Sequence, residues 1–279
     1  MKQIKIIIFY FLQVLTFSIG DDCYDNSTSK ICNTTQLLLI NSYLTEMPDL
    51  YNNTQIITLH LDNNQIQLID RNYSTIEYLY LTSNHIYALH LTNLSYPKLK
   101  LLDLSNNPIE HIVENFFSDK QFPQLEILQL TNSLKHINPY LIDNRLVSFS
   151  SLKYLNEIYL NENNFEEFSC SKNLSFIQWK FPSNIKKISF GKNQLTLLDE
   201  NCFTQISNLT ELDLSTNQIK TYSFPSTLKN LYLNSVTTNL SCVGFENLIE
   251  LEQLHLADLA ATQLESCMFK NLLKLKTVS

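Results

Sequence analysis

Hydrophobic residues recur along the chain at a spacing that is neither helical nor a simple alternation. The clearest copy runs from Leu99 to Ile112, with apolar residues at positions 1, 4, 6, 11 and 14 and Asn107 at position 9. Successive copies start 19 to 30 residues apart. Other full copies begin at Ile56, Ile76, Leu155, Ile185 and Leu209, degenerate copies at Thr34, Leu125, Leu228 and Leu251, and a partial copy at Leu275.

Positions 4 and 6 of each copy predict a short strand that points two side chains into a core and the residue between them outward. One copy cannot bury its own apolar side chains, so the copies must stack into a continuous core beside a parallel sheet. An amide both donates and accepts hydrogen bonds, so the asparagine at position 9 can satisfy backbone groups where the chain leaves the strand. The predicted ladder consists of Asn64, Asn84, Asn107, Asn163, Asn193 and Asn217.

Copies that depart from the regular spacing predict local departures from the regular structure. After Leu130 the asparagine comes one residue early, at Asn132, which indicates a one-residue deletion. Val236 and Leu259 stand where asparagine belongs, so we expect a loosened turn and distortion around residues 234–241.

A second apolar series begins with phenylalanine in three copies and predicts a convex core layer. These residues are Phe203, Phe245 and Phe269.

The amino terminus reads as an export signal. Residues 1–20 combine Lys2 and Lys5, a short apolar run and small residues before Asp21, which is typical of a cleaved signal peptide. The full chain has a net charge of −7, and loss of the two lysines makes it −9. This balance argues against nucleic acid and anionic membranes as partners. Leu and Asn dominate with counts of 48 and 31, whereas only 3 Gly are present, which is typical of a repeat protein.

Export also agrees with the candidate modification sites. Six cysteines are an even number for an oxidising compartment, and no Cys-x-x-Cys or nearby histidine pair suggests a metal site. We expect no metal and no cofactor. The predicted glycosylation sites, each in an Asn-x-Ser/Thr triplet, are Asn26, Asn33, Asn52, Asn72, Asn93, Asn173, Asn208 and Asn239.

These motifs together resemble a leucine-rich-repeat ectodomain, and the stretch from Phe203 to Ile219 resembles a Toll-like receptor. The resemblance implies an α/β-class solenoid, a curved parallel β-sheet horseshoe with short, mostly non-helical convex segments. It divides the chain into a signal peptide (1–20), an N-terminal disulfide cap (21–33) and about ten repeats (34–279). No C-terminal cap, membrane span or signalling domain follows in this sequence, so we expect either the N-terminal part of a longer protein or a truncated gene model.

Disulfide pairing is predicted as Cys23–Cys32, Cys170–Cys202 and Cys242–Cys267. The first pair resembles the N-terminal cap of such ectodomains, and each other pair joins equivalent outer loops of neighbouring copies. Other pairings remain open, because spacing alone does not determine connectivity.

Two functions are compatible with the resemblance. The first is the ligand-binding part of a cell-surface receptor in innate immunity or development, which recognises a protein or microbial ligand and can dimerise. The second is a secreted or tethered adhesion or matrix protein without a signalling domain. No serine-elbow, phosphate-loop or metalloprotease motif suggests an enzyme. A membrane would be reached only through a further C-terminal segment.

The outward strand positions are the candidate binding surface. The longest interval without a glycosylation triplet runs from Asn93 to Asn173, and glycans obstruct partners. We therefore expect a ligand to contact this interval, with Tyr159 as its anchor. The outward His60 and His255 are expected to be solvated. The candidate ligand-binding residues are Lys100, Asp103, Glu126, Gln129, Glu157, Tyr159 and Glu162.

Overall fold

A computed structural model describes most of the repeat region. It covers residues 35–50, 54–90, 94–113, 115–135, 147–170, 179–199, 202–203, 206–220, 222–237, 240–259 and 264–279, together with the backbone of residues 23–26, 29–32, 146 and 178. The predicted signal peptide lies outside the described residues.

Short strands account for nearly all of the regular structure in these ranges. In chain order they are β1 (Cys23–Asn26), β2 (Ser29–Cys32), β3 (Gln36–Leu38), β4 (Thr58–His60), β5 (Tyr78–Tyr80), β6 (Ala88–Leu89), β7 (Leu101–Asp103), β8 (His111–Ile112), β9 (Ile127–Gln129), β10 (Leu146–Ser148), β11 (Glu157–Tyr159), β12 (Glu167–Phe168), β13 (Gln178–Lys180), β14 (Lys187–Ser189), β15 (Leu197–Leu198), β16 (Glu211–Asp213), β17 (Asn230–Tyr232), β18 (Gln253–His255) and β19 (Thr277–Val278). A 3₁₀ turn spans Ser266–Phe269.

One strand from each copy joins an 11-stranded sheet in the order β3-β4-β5-β7-β9-β11-β14-β16-β17-β18-β19. Its neighbouring strands are parallel, as the repeat predicts. Small parallel pairs, β6–β8, β10–β13 and β12–β15, lie outside the main sheet, and β1–β2 is an antiparallel hairpin. The chain is therefore a solenoid with a parallel sheet and mostly non-helical convex segments.

The core lies directly behind the main sheet. Leu59, Leu79 and Leu102, at the centres of three neighbouring strands, are at most 1% exposed. The convex layer is filled by Phe203 and Phe245, as the sequence predicts, but Phe269 is only partly buried. Phe269 still packs against the core, and its neighbour Met268 is 1% exposed, as Cys202 is beside Phe203.

The predicted asparagine ladder is present. The Asn107 amide nitrogen donates to the carbonyl oxygens of Leu81 (2.9 Å) and Leu104 (3.0 Å), and its oxygen accepts from the Ile86 N–H (3.0 Å). One side chain therefore satisfies groups in two consecutive copies. The same kind of bonds, from a buried amide to the previous copy, recurs at Asn64, Asn84, Asn163, Asn193 and Asn217.

The copy after Leu130 differs from the prediction. Asn132 adopts a left-handed backbone with φ 53°, as Asn106 does (φ 57°) at the equivalent position. The next residue, Ser133, is 1% exposed and occupies the ladder place, where its hydroxyl donates to the Leu104 carbonyl at 2.6 Å. The asparagine therefore does not come early, since a serine replaces it. The missing residue lies after Ser133, where Leu134 already takes the next core position.

The copy with Val236 in the ladder place keeps its turn. Val236 is fully buried, and Ser235 has φ 54°, close to the 56° of Thr216 one copy earlier. The backbone N–H of Ser235 donates to the Ala257 carbonyl at 2.7 Å. The expected distortion is absent from residues 234–237, because an apolar side chain joins the core while the backbone bonds between copies persist. Residues 238 and 239 lie outside the described residues.

Two of the predicted disulfides occur in the structure. Cys170 pairs with Cys202 and Cys242 with Cys267, with Cα–Cα distances of 5.1 and 5.5 Å. The third pair involves side chains outside the described residues, although the β1–β2 register places the backbones of Cys23 and Cys32 opposite each other. Within the described residues, no helix is long and apolar enough to cross a membrane.

Substitution of a ladder asparagine tests how much the ladder stabilises the fold. Asn107→Ala should lower the free energy of unfolding, measured by urea denaturation, by about 3 kcal/mol, because it leaves buried carbonyl and N–H groups without partners. Asn107→Ser should cost about half as much, since Ser133 shows that a hydroxyl can serve part of this role. A loss below about 0.5 kcal/mol for the alanine variant would contradict the ladder's importance.

The cysteine pairing predicts a peptide map. Digestion without reduction should release linked peptides for Cys170–Cys202 and Cys242–Cys267, and also for Cys23–Cys32 because the hairpin brings those backbones together. The same digest after reduction provides the control, in which every linked mass should disappear. A peptide joining Cys202 to Cys242 would overturn the assignment.

Candidate ligand-binding surface

Two rows of outward side chains cross the main sheet and form what we call the concave face. Within each strand the middle residue points into the core, whereas the first and third residues face outward. The register aligns the third residues into a central row: Leu38, His60, Tyr80, Asp103, Gln129, Tyr159, Ser189, Asp213, Tyr232 and His255. The first residues form a side row: Gln36, Thr58, Tyr78, Leu101, Ile127, Glu157, Lys187, Glu211, Asn230 and Gln253.

All seven predicted ligand-binding residues lie on this face or at its margin. Gln129 lies between Asp103 and Tyr159 in the central row. Asp103 is less accessible than the sequence suggests, at 8% exposure, and its carboxylate accepts the Ser105 N–H at 2.9 Å. The residues that precede or follow the strands are half-buried: Lys100, Glu126 and Glu162.

Charged residues on the face pair across neighbouring copies. Lys100 contacts Glu77 at 2.8 Å, and Lys192 contacts Glu162 at 3.0 Å. These partners are 23 and 30 residues apart in sequence, so they meet only because the copies stack. Exposed pairs of this kind contribute little stability, but they set the orientation of charge along the face.

Tyr159, the predicted anchor, is engaged in a polar network. Its hydroxyl donates to Glu157 at 2.7 Å, and the Lys187 ammonium lies 5.1 Å from its ring centroid. Lys187 in turn contacts Glu211 at 2.8 Å. Burial and the bond with Glu157 raise the pKa of Tyr159. The pKa of Lys187 is raised although burial opposes this, because Glu211 and Tyr159 hydrogen-bond its charged form.

Stacked aromatic pairs lie toward both ends of the central row. The rings of His60 and Tyr80 have centroids 4.3 Å apart and an interplanar angle of 2°, and those of Tyr232 and His255 are 4.4 Å apart at 9°. The two histidines are therefore half-buried against tyrosines, not simply solvated as predicted. The histidine–tyrosine pairs fall at adjacent positions of the central row, so the repeat frame contains the signal that could have identified them.

Two of the eight glycosylation triplets have described asparagine side chains. Asn72 and Asn208 are exposed and lie outside both rows of the concave face. Asn72 accepts the Ser95 N–H at 2.8 Å, and a cavity of about 380 Å³ lies beside it, lined in part by Pro48, Tyr73 and Pro97. The side chains of Asn26, Asn33, Asn52, Asn93, Asn173 and Asn239 lie outside the described residues.

Comparison with known proteins agrees with this geometry. The sequence model of the family described as Leucine Rich Repeat matches residues 98–119 and 208–231. Each match contains one strand of the main sheet and its ladder asparagine. A solved octameric complex of Latrophilin 3, Unc5D and FLRT2 contains a chain that is 19% identical, with a TM-score of 0.60, over 89% of this chain and 81% of that chain.

Two curated relatives extend the likeness along the sequence. Transforming growth factor beta activator LRRC33 from Danio rerio is 26% identical over 83% of this chain and 33% of its own length. Toll-like receptor 8 from Homo sapiens is 25% identical over 61% of this chain and 18% of its own length. The chain thus spans a third or less of these relatives. Its repeats, asparagine ladder and parallel sheet are those of a leucine-rich-repeat domain that resembles the Toll-like receptors.

Proposed function

We propose that this chain is the ligand-binding extracellular part of a cell-surface receptor, Toll-like in organisation, that recognises a protein or microbial ligand through its concave face. The observation that carries the proposal is the continuous pair of outward rows across the main sheet. Such a surface offers many side chains to one partner without disturbing the core, because every outward position alternates with a buried one.

Location and partner class follow from the same features. Disulfides form and persist in oxidising compartments, which supports an extracellular site for Cys170–Cys202 and Cys242–Cys267. The solved FLRT2 complex holds protein partners, and the relatives include Toll-like receptor 8. A role in innate immunity or development, attachment to a membrane through a further segment and receptor dimerisation are parts of this proposal.

A glycan placed on the concave face tests the proposal. Gln129→Asn creates the triplet Asn-Leu-Thr in the central row without removing a core leucine. The secreted chain should first be screened against arrays of purified extracellular proteins and microbial surface fractions. For each binder found, the glycosylated variant should bind at least about 100-fold more weakly, since a bulky glycan would lie in the contact.

The chain offers a matched control. Gln194→Asn creates the same triplet, Asn-Leu-Thr, at an exposed position directly after the ladder residue Asn193, where the chain has left the strand. This variant should keep full binding. Occupancy at both new sites is checked by mass spectrometry of the secreted proteins. Equal binding by the two glycosylated variants would show that the concave face is not the site.

A further inference from the structure

The amino-terminal half of the concave face has a composition unlike that of the other half. Five half-buried side chains on four neighbouring strands, β4, β5, β7 and β9, form an aromatic and aliphatic surface that we call the Tyr80 patch. Its side row passes from Tyr78 through Leu101 to Ile127, and the next residue in that row, Glu157, is charged. The patch consists of His60, Tyr78, Tyr80, Leu101 and Ile127.

Tyr80 lies at the centre of this patch with one ring face covered by His60. In the central row its other neighbour is Asp103, on the opposite side from His60. The Tyr80 hydroxyl makes no hydrogen bond within the part of the chain that the structure describes. In this respect Tyr80 differs from Tyr159, whose hydroxyl donates to Glu157 and whose ring lies beneath Lys187.

The charges around Tyr80 are mainly negative. Burial raises the pKa of the Tyr80 hydroxyl, and the carboxylates of Asp103 and Asp62 raise it further, so both carboxylates act on this phenol. Glu77 and Glu126 lie beside the side row. Among the row residues of these four strands and the residues directly before them, all of which are described, Lys100 is the only lysine or arginine. It is already paired with Glu77 at 2.8 Å.

A surface of this kind is complementary to a cation carried next to apolar groups. A guanidinium binds an aromatic ring face by cation–π attraction and donates hydrogen bonds to a carboxylate, and Tyr80 and Asp103 supply these two groups as neighbours. One oxygen of Asp103 already accepts the Ser105 N–H, so the second oxygen is the one that would accept from the ligand. The aliphatic side row can cover adjoining apolar side chains of the same ligand. The excess of carboxylates opposes phosphate-rich ligands such as nucleic acids.

We propose that the Tyr80 patch binds a basic segment of a protein ligand, with an arginine side chain between Tyr80 and Asp103 and a neighbouring apolar side chain over Leu101 and Ile127. This inference rests on the proposed function, because it names the chemistry of the partner for the same face. It moves the anchor from Tyr159 on β11 to Tyr80 on β5, which is the third strand from β11 in the main sheet.

Synthetic peptides test the ligand chemistry. The probe is a panel of immobilised pentapeptides with a central arginine followed by two apolar residues, and each peptide has a twin in which citrulline replaces arginine. Citrulline keeps the shape but lacks the charge, so each binding peptide should bind the secreted chain about tenfold more tightly than its twin. Binding should also weaken as the salt concentration rises. The proposal is wrong if no arginine peptide binds better than its citrulline twin.

Variants of the protein test the site. Tyr80→Phe keeps the aromatic face and should retain binding, whereas Tyr80→Leu keeps apolar area alone and should lose about tenfold. Asp103→Asn keeps the oxygen that accepts the Ser105 N–H but removes the charge, and it should lose a similar factor. Thermal unfolding of each secreted variant confirms that it is folded.

Tyr232→Leu is the matched control. Tyr232 also stacks on a histidine in the central row, but its side-row neighbours, Asn230 and Gln253, are polar. This variant should bind the arginine peptides as the unmodified chain does. Unchanged binding by Tyr80→Leu, or an equal loss in Tyr232→Leu, would overturn the proposal. If Gln129→Asn abolishes ligand binding while Tyr80→Leu does not, the concave face remains the ligand site and only this anchor is wrong.

Discussion

The hydrogen bonds of the buried asparagine ladder are the constraint on which the rest of this structure depends. Every copy must turn sharply away from its strand while its apolar neighbours remain in the core, which leaves backbone groups that water cannot reach. An asparagine amide at the turn bonds to its own copy and to the previous one, as Asn107 does with Leu104 and Leu81. Each amide therefore connects two copies as well as completing one turn.

The ladder positions are not all equivalent in chemistry. Ser133 supplies a hydroxyl, and Val236 supplies only apolar surface, yet the turns of both copies keep the left-handed residue before the ladder place. The backbone bonds between copies are sufficient to hold an isolated exception in register. In these two copies a serine hydroxyl and a valine side chain fill the buried space that the amide occupies elsewhere, so no cavity is left.

Regular stacking of the copies creates the two rows of the concave face. Because the strands are parallel and in register, residues at one repeat position become neighbours along a row, whatever the length of the loops between them. This places Tyr78, Leu101 and Ile127 side by side and gives Lys100 a partner in Glu77. The two halves of the concave face thus differ. The amino-terminal half is aromatic and aliphatic with an excess of carboxylates, whereas in the other half Tyr159, Lys187 and Glu211 form a polar network.

The sequence by itself determined the repeat, the parallel sheet and the asparagine ladder, because the spacing of apolar residues states directly which side chains face the core. It predicted the Cys170–Cys202 and Cys242–Cys267 pairs without excluding other pairings, and the structure decided between them. It also aligned the central row, since the repeat position defines the register. Only the tertiary structure decided which outward side chains are engaged and which are available. The hydroxyl of Tyr159 bonds to Glu157, two residues earlier, whereas Tyr78 stands at the equivalent place before Tyr80. Contacts between copies add to this difference, because stacking places the Lys187 ammonium 5.1 Å from the centroid of the Tyr159 ring. The packing of the irregular segments was equally hidden in the sequence. Trp179 is buried against Phe149 of the preceding copy and Phe165 of its own copy, and no local spacing encodes how rings from loops of unequal length fit together.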